Sequence, residues 1–410
     1  MTSKIVVNNI ESDSGINTVT IIGDVSVGSS ITATDITATH HGSGADLTNL
    51  PAANLTGTLP AIDGSNLTGV GASFGNSSVN TSGIITATAF VPSQGQLSHR
   101  NLIINGAMQV AQRSQSVTVT QSVRGYQTLD RFEYNIHGTT THEMTMAQSS
   151  ESPDGFSNSL KFSTTTADAS LTGTQSHYLT TELEGQDVQQ LAYGTSSAKS
   201  FTLSFYVKGT ITGTYVVWFY APDTGKALTK YYTISSANTW ERKIITVAGD
   251  TASAIANDNG SGLFTRWILG AGPDYSSGTA STTWATAGLT NANRYVGQTA
   301  NVAATTSDNW AITGVQLEVG SVPTPFEHRS YGEEFARCQR YFIKISSGAF
   351  IFPQSNVYTS VVFPQEMRDV PTLTITGTGT KSGILARKDG FRAVNSLGPQ
   401  DHAFTANAEL

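Results

Sequence analysis

Over its first 99 residues the chain offers only two large aromatic side chains, Phe74 and Phe90. A stretch so poor in bulky apolar groups is badly placed to fill a globular core of its own. It is also poor in charge, with Lys4, Glu11, Asp13, Asp24, Asp35, Asp46 and Asp63 as its formal charges. Disordered chains usually show the opposite, high net charge with little hydrophobicity. Short β-branched runs such as Thr18-Val19-Thr20-Ile21-Ile22 favour strands. The segment therefore reads as ordered β-structure that must borrow burial from neighbouring chains.

Repeats support this reading. Ile31-Thr32-Ala33-Thr34, Ile36-Thr37-Ala38-Thr39 and Ile85-Thr86-Ala87-Thr88 are copies of one tetrapeptide. Asp46-Leu47-Thr48-Asn49-Leu50, Asn54-Leu55-Thr56-Gly57 and Asn66-Leu67-Thr68-Gly69 vary a second unit. Asp13, Asp24, Asp35 and Asp46 recur every 11 residues. Each short repeat must bury its apolar side on a neighbour. The period is too irregular for a single-chain solenoid, whereas three chains need only bring Leu and Ile to a shared axis. Residues 1–99 are expected to form the β-rich stalk of a homotrimer.

Composition changes at Arg100, after which all five Trp residues occur. Charged residues are 13% of the whole chain, against about 25% in typical domains, and Ser, Thr, Asn, Gln and Gly replace them. Such residues disfavour helix interiors. Strands are predicted at 201–207, 215–220, 240–247 and 310–319, separated by polar turns. The run Tyr215-Val216-Val217-Trp218-Phe219-Tyr220 is apolar throughout. Many short strands argue a β-sandwich of jelly-roll type over residues 100–330. Gly332-Glu333-Glu334-Phe335-Ala336-Arg337-Cys338-Gln339-Arg340-Tyr341 leads with acids and follows with bases, which suits a helix dipole. It predicts a short helix with Phe335, Cys338 and Phe342 on one face. Further strands at 357–363 and 371–375 make residues 331–410 a small β tip. The expected fold class is all-β.

Several partners are disfavoured. The net charge is −7 and no basic run exists, which argues against nucleic acid. No apolar stretch reaches the roughly 20 residues of a membrane span. No signal peptide is expected at Met1, and Cys338 has no disulfide partner in the chain. No phosphate-binding glycine loop follows a strand, and no cofactor is expected.

Three groups of motifs resemble tailed-phage fibre proteins. Gly64-Ser65-Asn66-Leu67-Thr68-Gly69 is similar to the shaft repeats of such fibres, including those of phages infecting cyanobacteria. Asn101-Leu102-Ile103-Ile104-Asn105-Gly106-Ala107-Met108, Leu129-Asp130-Arg131-Phe132 and Gly314-Val315-Gln316-Leu317-Glu318-Val319-Gly320 resemble the start and end of a jelly-roll module. Pro323-Thr324-Pro325-Phe326-Glu327, Cys338-Gln339-Arg340-Tyr341 and Phe363-Pro364-Gln365-Glu366-Met367-Arg368 resemble its junction with a tip. The resemblance implies a virion tail component made in the host cytoplasm. It also implies a trimer, with residues 1–99 attached to other tail or baseplate proteins and the heads on a host-surface polysaccharide. It carries over no binding residue.

Sugar recognition needs exposed aromatic faces. The candidates are Trp218, Tyr220, Trp267, Tyr275 and Trp284, of which Tyr275 and Trp284 lie in the Gly- and Ser-rich loop 270–290. Trp218 and Tyr220 share a strand face. One face of a sandwich strand is core, so Trp218, Trp240 and Trp310 also fit the core. A glycan-cleaving enzyme would need two carboxylates about 5–10 Å apart. Asp130 with Glu133, and Glu182 with Glu184 and Asp187, are the nearest sets, and solvated pairs are the expectation for them. His40 and His41 point to opposite faces of a strand and do not chelate together. Asp258-Asn259-Gly260-Ser261-Gly262 lacks the full spacing of a calcium loop, so a turn is expected and no metal site is assigned. The expected function is multivalent glycan attachment. A purely structural baseplate or collar protein and a depolymerase are the alternatives.

Overall fold

The computed structural model describes Val6, residues 98–397 and residues 400–410, with the backbone alone at 347–350. The expected stalk, with its repeats, its aspartate spacing and His40 and His41, lies outside the described residues apart from Val6, Ser98 and His99. From Ser98 onward the described residues belong to one compact unit, Ala87–Leu410.

That unit is built from antiparallel strands. In chain order they are β1 (Ser116–Val119), β2 (Glu133–His137), β3 (Glu143–Ser149), β4 (Ser159–Thr166), β5 (Ser176–Glu184), β6 (Phe201–Gly209), β7 (Gly213–Ala221), β8 (Lys226–Ile234), β9 (Glu241–Val247), β10 (Ser261–Ala271) and β11 (Asn309–Val319). A six-stranded sheet runs β1-β3-β4-β11-β6-β9 and a five-stranded sheet runs β2-β5-β10-β7-β8. Their inner faces meet in one apolar core that includes Phe201, Phe205, Phe219, Trp267 and Trp310. Trp310 donates its indole N–H to the Tyr232 hydroxyl at 3.1 Å, so its polar atom is satisfied inside the core. This is a β-sandwich, and the strands expected at 201–207, 215–220, 240–247 and 310–319 correspond to β6, β7, β9 and β11. Trp240 falls just before β9 and is only half-buried.

A short helix α1 (Pro273–Ser276) follows β10, and α2 (Tyr331–Gln339) follows the sandwich. The Ser330 hydroxyl caps α2 by accepting from the Glu333 N–H. The expected face of Phe335, Cys338 and Phe342 needs correction. The helix ends at Gln339, and Phe342 opens a strand. Glu334, Cys338 and Gln339 are the buried residues of α2, while Phe335 stacks on Tyr331 at 5.7 Å near the surface. Glu334 turns inward because it accepts from the Asn105 N–H at 2.8 Å and faces Arg329.

The chain then forms β12 (Phe342–Phe352), β13 (Tyr358–Val362), β14 (Thr372–Thr376), β15 (Lys381–Arg387), β16 (Gly390–Asn395) and β17 (Gln400–Asn407). They make two three-stranded sheets, β12-β17-β14 and β13-β16-β15. A separate small core between them includes Ile343, Phe363, Phe391 and Phe404.

The motifs that resemble fibre modules hold these parts together. The Asn101 side-chain amide donates to the Val315 carbonyl at 3.0 Å, and its oxygen accepts from Leu317 N–H at 3.1 Å. Gly106 passes so near β11 that a Cβ there would overlap the Val315 carbonyl oxygen. Glu318 accepts from the Thr324 N–H and hydroxyl, tying down the Pro323–Glu327 segment. At the joint with the smaller module, buried Arg131 ion-pairs with Glu409 and lies 3.6 Å over the Tyr341 ring. Glu184 receives the Arg340 fork at 2.9 and 2.7 Å and the Tyr341 hydroxyl at 2.6 Å. Arg368 donates to the carbonyls of Asn259, Ala408 and Glu409.

Candidate functional site

The five-stranded sheet has a second face, turned away from the sandwich core. Strand alternation sends Tyr215, Val217 and Phe219 inward, and Val216, Trp218 and Tyr220 outward. The unbroken apolar run of β7 follows, since both of its faces are covered at that point. On β10 the outward set is Phe264, Arg266 and Ile268, and on β5 it is Tyr178, Thr180 and Glu182. Register then fixes the neighbours. Phe264 lies opposite both Tyr220 and Glu182, and Arg266 lies opposite Trp218 and Thr180. Glu133 of β2 lies opposite Thr180 and completes that row.

The result is an aromatic platform around one cation. Trp218 and Tyr220 stack at 5.4 Å and 29°, and Tyr220 meets Phe264 at 5.5 Å. The Arg266 guanidinium lies 4.2 Å over the Tyr178 ring and 4.9 Å over Trp218. Such cation–π contacts hold the guanidinium flat on the sheet. The Arg266 Nε is buried without a hydrogen-bond partner among the described residues. Two carboxyls border it. Burial and the nearby Glu182 carboxylate push Glu133 up to about 7. Burial also raises Glu182, whose carboxylate accepts from the Ser261 hydroxyl at 2.7 Å.

The segment after β10 roofs one end of this face. Tyr295 and Tyr275 pack together at 5.4 Å, and the Tyr275 carbonyl accepts from the Tyr295 N–H. Gly288 takes the Trp218 indole N–H at 3.3 Å. The other end stays half-open, with Tyr220, Phe264, Arg266 and Glu133 partly exposed.

The sequence candidates therefore separate. Trp218 and Tyr275 belong to this face but are buried, and Tyr220 is partly open upon it. Trp267 is fully buried on the opposite face of β10, in the sandwich core. Trp284 lies elsewhere, packed edge-on to Tyr193 at 5.8 Å, with its N–H on the Ala248 carbonyl. Phe264, Arg266, Tyr178 and Glu133 were not among the aromatic candidates. Their signal was the alternation Phe264-Thr265-Arg266-Trp267, which places Phe264 and Arg266 opposite a core tryptophan.

The carboxylate sets also regroup. Glu182 and Glu184 are buried rather than solvated, because Ser261 partners the first and Arg340 with Tyr341 the second. Asp130 is buried against Gln112 and Arg113. Asp258 accepts from the Gly260 N–H at 2.9 Å and closes a turn. Among the described residues, no group of three or more His, Cys, Asp or Glu could hold a metal ion. No helix among them is long and apolar enough to cross a membrane. Burial pushes the Cys338 thiol far up, the opposite of what a nucleophile needs.

No family model matches the chain, and no curated protein matches it. Among solved structures it is similar to the enzymatically active domain of tailspike protein 4 of bacteriophage CBA120. The TM-score is 0.28 at 13% identity, over 53% of this chain and 21% of that one. It is also similar to the module TmCBM61 in complex with beta-1,4-galactotriose, with a TM-score of 0.26 at 10% identity over 54% of this chain and 99% of that one. The family 11 carbohydrate-binding module of a cellulosomal cellulase of Clostridium thermocellum aligns at a TM-score of 0.26 and 9% identity, over 53% and 100% of the two chains. At TM-scores this low, the likenesses bear on neither the activity nor the ligand of this chain.

Proposed function

We propose that the chain is a virion fibre component that attaches to a host-surface glycan through the outer face of its five-stranded sheet. The observation that carries this reading is the half-open platform of Tyr220 and Phe264 beside Arg266 and Glu133. A pyranose ring presents an apolar face to aromatic rings and hydroxyls to planar polar groups, and both kinds of partner meet here. Three copies joined through residues 1–99 would turn weak single contacts into firm attachment, since linkage raises effective affinity by roughly 10²–10⁴.

Glu133 beside Glu182 is the carboxyl pair that a cleaving enzyme would use on this face, and the binding reading expects it to release no product from the glycan.

A glycan array probed with the full chain, followed by titration of the best ligand, tests the proposal. Tyr220→Ala with Phe264→Ala should weaken binding about tenfold, the scale of a lost stacking platform. Absence of any glycan ligand would leave a structural virion role instead, and equal affinity in the double variant would move the site off this face. New reducing ends released from the ligand would replace binding with hydrolysis.

A further inference from the structure

A second exposed face lies on the smaller module. In sheet β13-β16-β15, Val361, Phe391 and Ala386 point to the inner side, and Tyr358, Ser360, Val362, Leu385, Arg387 and Arg392 point outward. The outward side is open: Tyr358 is 57% and Val362 83% exposed. Register places Arg392 opposite both Ser360 and Leu385, with Arg387 opposite Gly390 one step along the same face. These residues line a shallow trough of about 290 Å³ together with Asp389.

Local backbone geometry builds this arrangement. A bulge between Ser382 and Leu385 shifts the register of β15 and aims Leu385 and Arg387 to the outside. Gly383, at φ +59°, sits in that bulge, where a Cβ would come within 2.9 Å of the Tyr358 ring. The ring therefore reaches across to that strand, and the Arg392 guanidinium lies 4.9 Å from its centroid. Neither the Arg387 nor the Arg392 side chain has an ion pair or hydrogen bond among the described residues. Two guanidinium forks thus face solvent beside an open aromatic ring, with Asp389 as the single carboxylate in the trough.

We propose that this face docks an anionic polysaccharide, with Arg387 and Arg392 on its acidic groups and Tyr358 against a sugar ring. Guanidinium forks match carboxylate, sulfate and phosphate oxygens two at a time. The open ring supplies the apolar surface that a pyranose covers. A contact with a neighbouring copy is the rival occupant of this face, and the mass of the arginine variant separates the two. The site is independent of the platform on the sandwich.

The test is affinity electrophoresis of the full chain in gels containing polygalacturonate, alginate or neutral dextran. The polyuronates should retard the protein and dextran should not, and added salt should weaken the retardation. Arg387→Ala with Arg392→Ala should weaken retention by about tenfold or more, as expected for two lost charge-assisted contacts. Tyr358→Ala should weaken it too. Equal retention of wild type and the arginine variant, or no retention by either polyuronate, overturns the proposal. So does a change in mass by light scattering on the arginine variant, since that result makes the face a contact between copies.

Discussion

At the scale of single residues, the sandwich carries a buried pair of histidines whose protonation opposes folding. The His142 Nε2 lies 2.7 Å from the Tyr134 hydroxyl, and the rings of His142 and His177 are 4.5 Å apart. The His177 Nε2 meets the Asn301 side chain at 3.2 Å, while the His142 Nδ1 is buried without a partner among the described residues. Burial lowers His142 to about 4, although Asp168 works in the other direction, and burial holds His177 well below the usual histidine range. Both groups take up protons more readily in the unfolded chain. Their contribution to stability is therefore complete above about pH 6.5 and is lost as pH falls toward 4. Glu133 and Asp130, both raised to about 7 by burial first of all, slope the opposite way over part of that window. The readout is accordingly the difference between wild type and His142→Gln with His177→Gln. In urea titrations, lowering the pH from 7 to 4 should cost the wild type at least about 3 kcal/mol more than the double variant, the share of His142 alone. Parallel pH profiles would exclude the histidines as the source.

At the scale of elements, strand alternation was the most legible signal, and its ambiguity explains what stayed hidden. β6, β7 and β11 could be read from β-branched and aromatic runs, and α2 from its charge order. The run in β7 showed that both faces are covered without saying by what. The answer is the segment carrying Tyr275 and Tyr295, which meets Trp218 only through long-range packing. Trp267 could not be assigned to the core from sequence, because inside and outside on a strand differ by a single residue. The fibre-like motifs proved to be joinery, with Asn101 and Gly106 binding the two ends of the sandwich to each other and Glu318 holding the Pro323–Glu327 segment. Gly106→Ala should thus destabilise the protein by about 1–3 kcal/mol, as over-packing does, read as a lower urea midpoint at unchanged slope. An unchanged midpoint would mean that β11 yields freely at Val315.

At the scale of the whole molecule, the two candidate faces differ in kind. The sandwich platform is aromatic and half-open, whereas the face of the smaller module is open and positively charged. The proposed trimer rests on the composition of the first 99 residues, whose shortage of large apolar side chains leaves them badly placed to fill a core alone. Light scattering of the full chain should give three times the 43.3 kDa of one copy, and a species of 43.3 kDa would rule that assembly out.

The Arg131–Glu409 pair determines how the sandwich and the smaller module respond to load. Arg131 is 1% exposed, and its carboxylate partner belongs to the strand end of the other module. Prising the two apart would have to break this pair together with the Arg340 fork on Glu184 and the Arg368 bonds to both sides. A pull on one module is therefore transmitted to the other as to a solid lever, and heat should melt the pair in a single cooperative step.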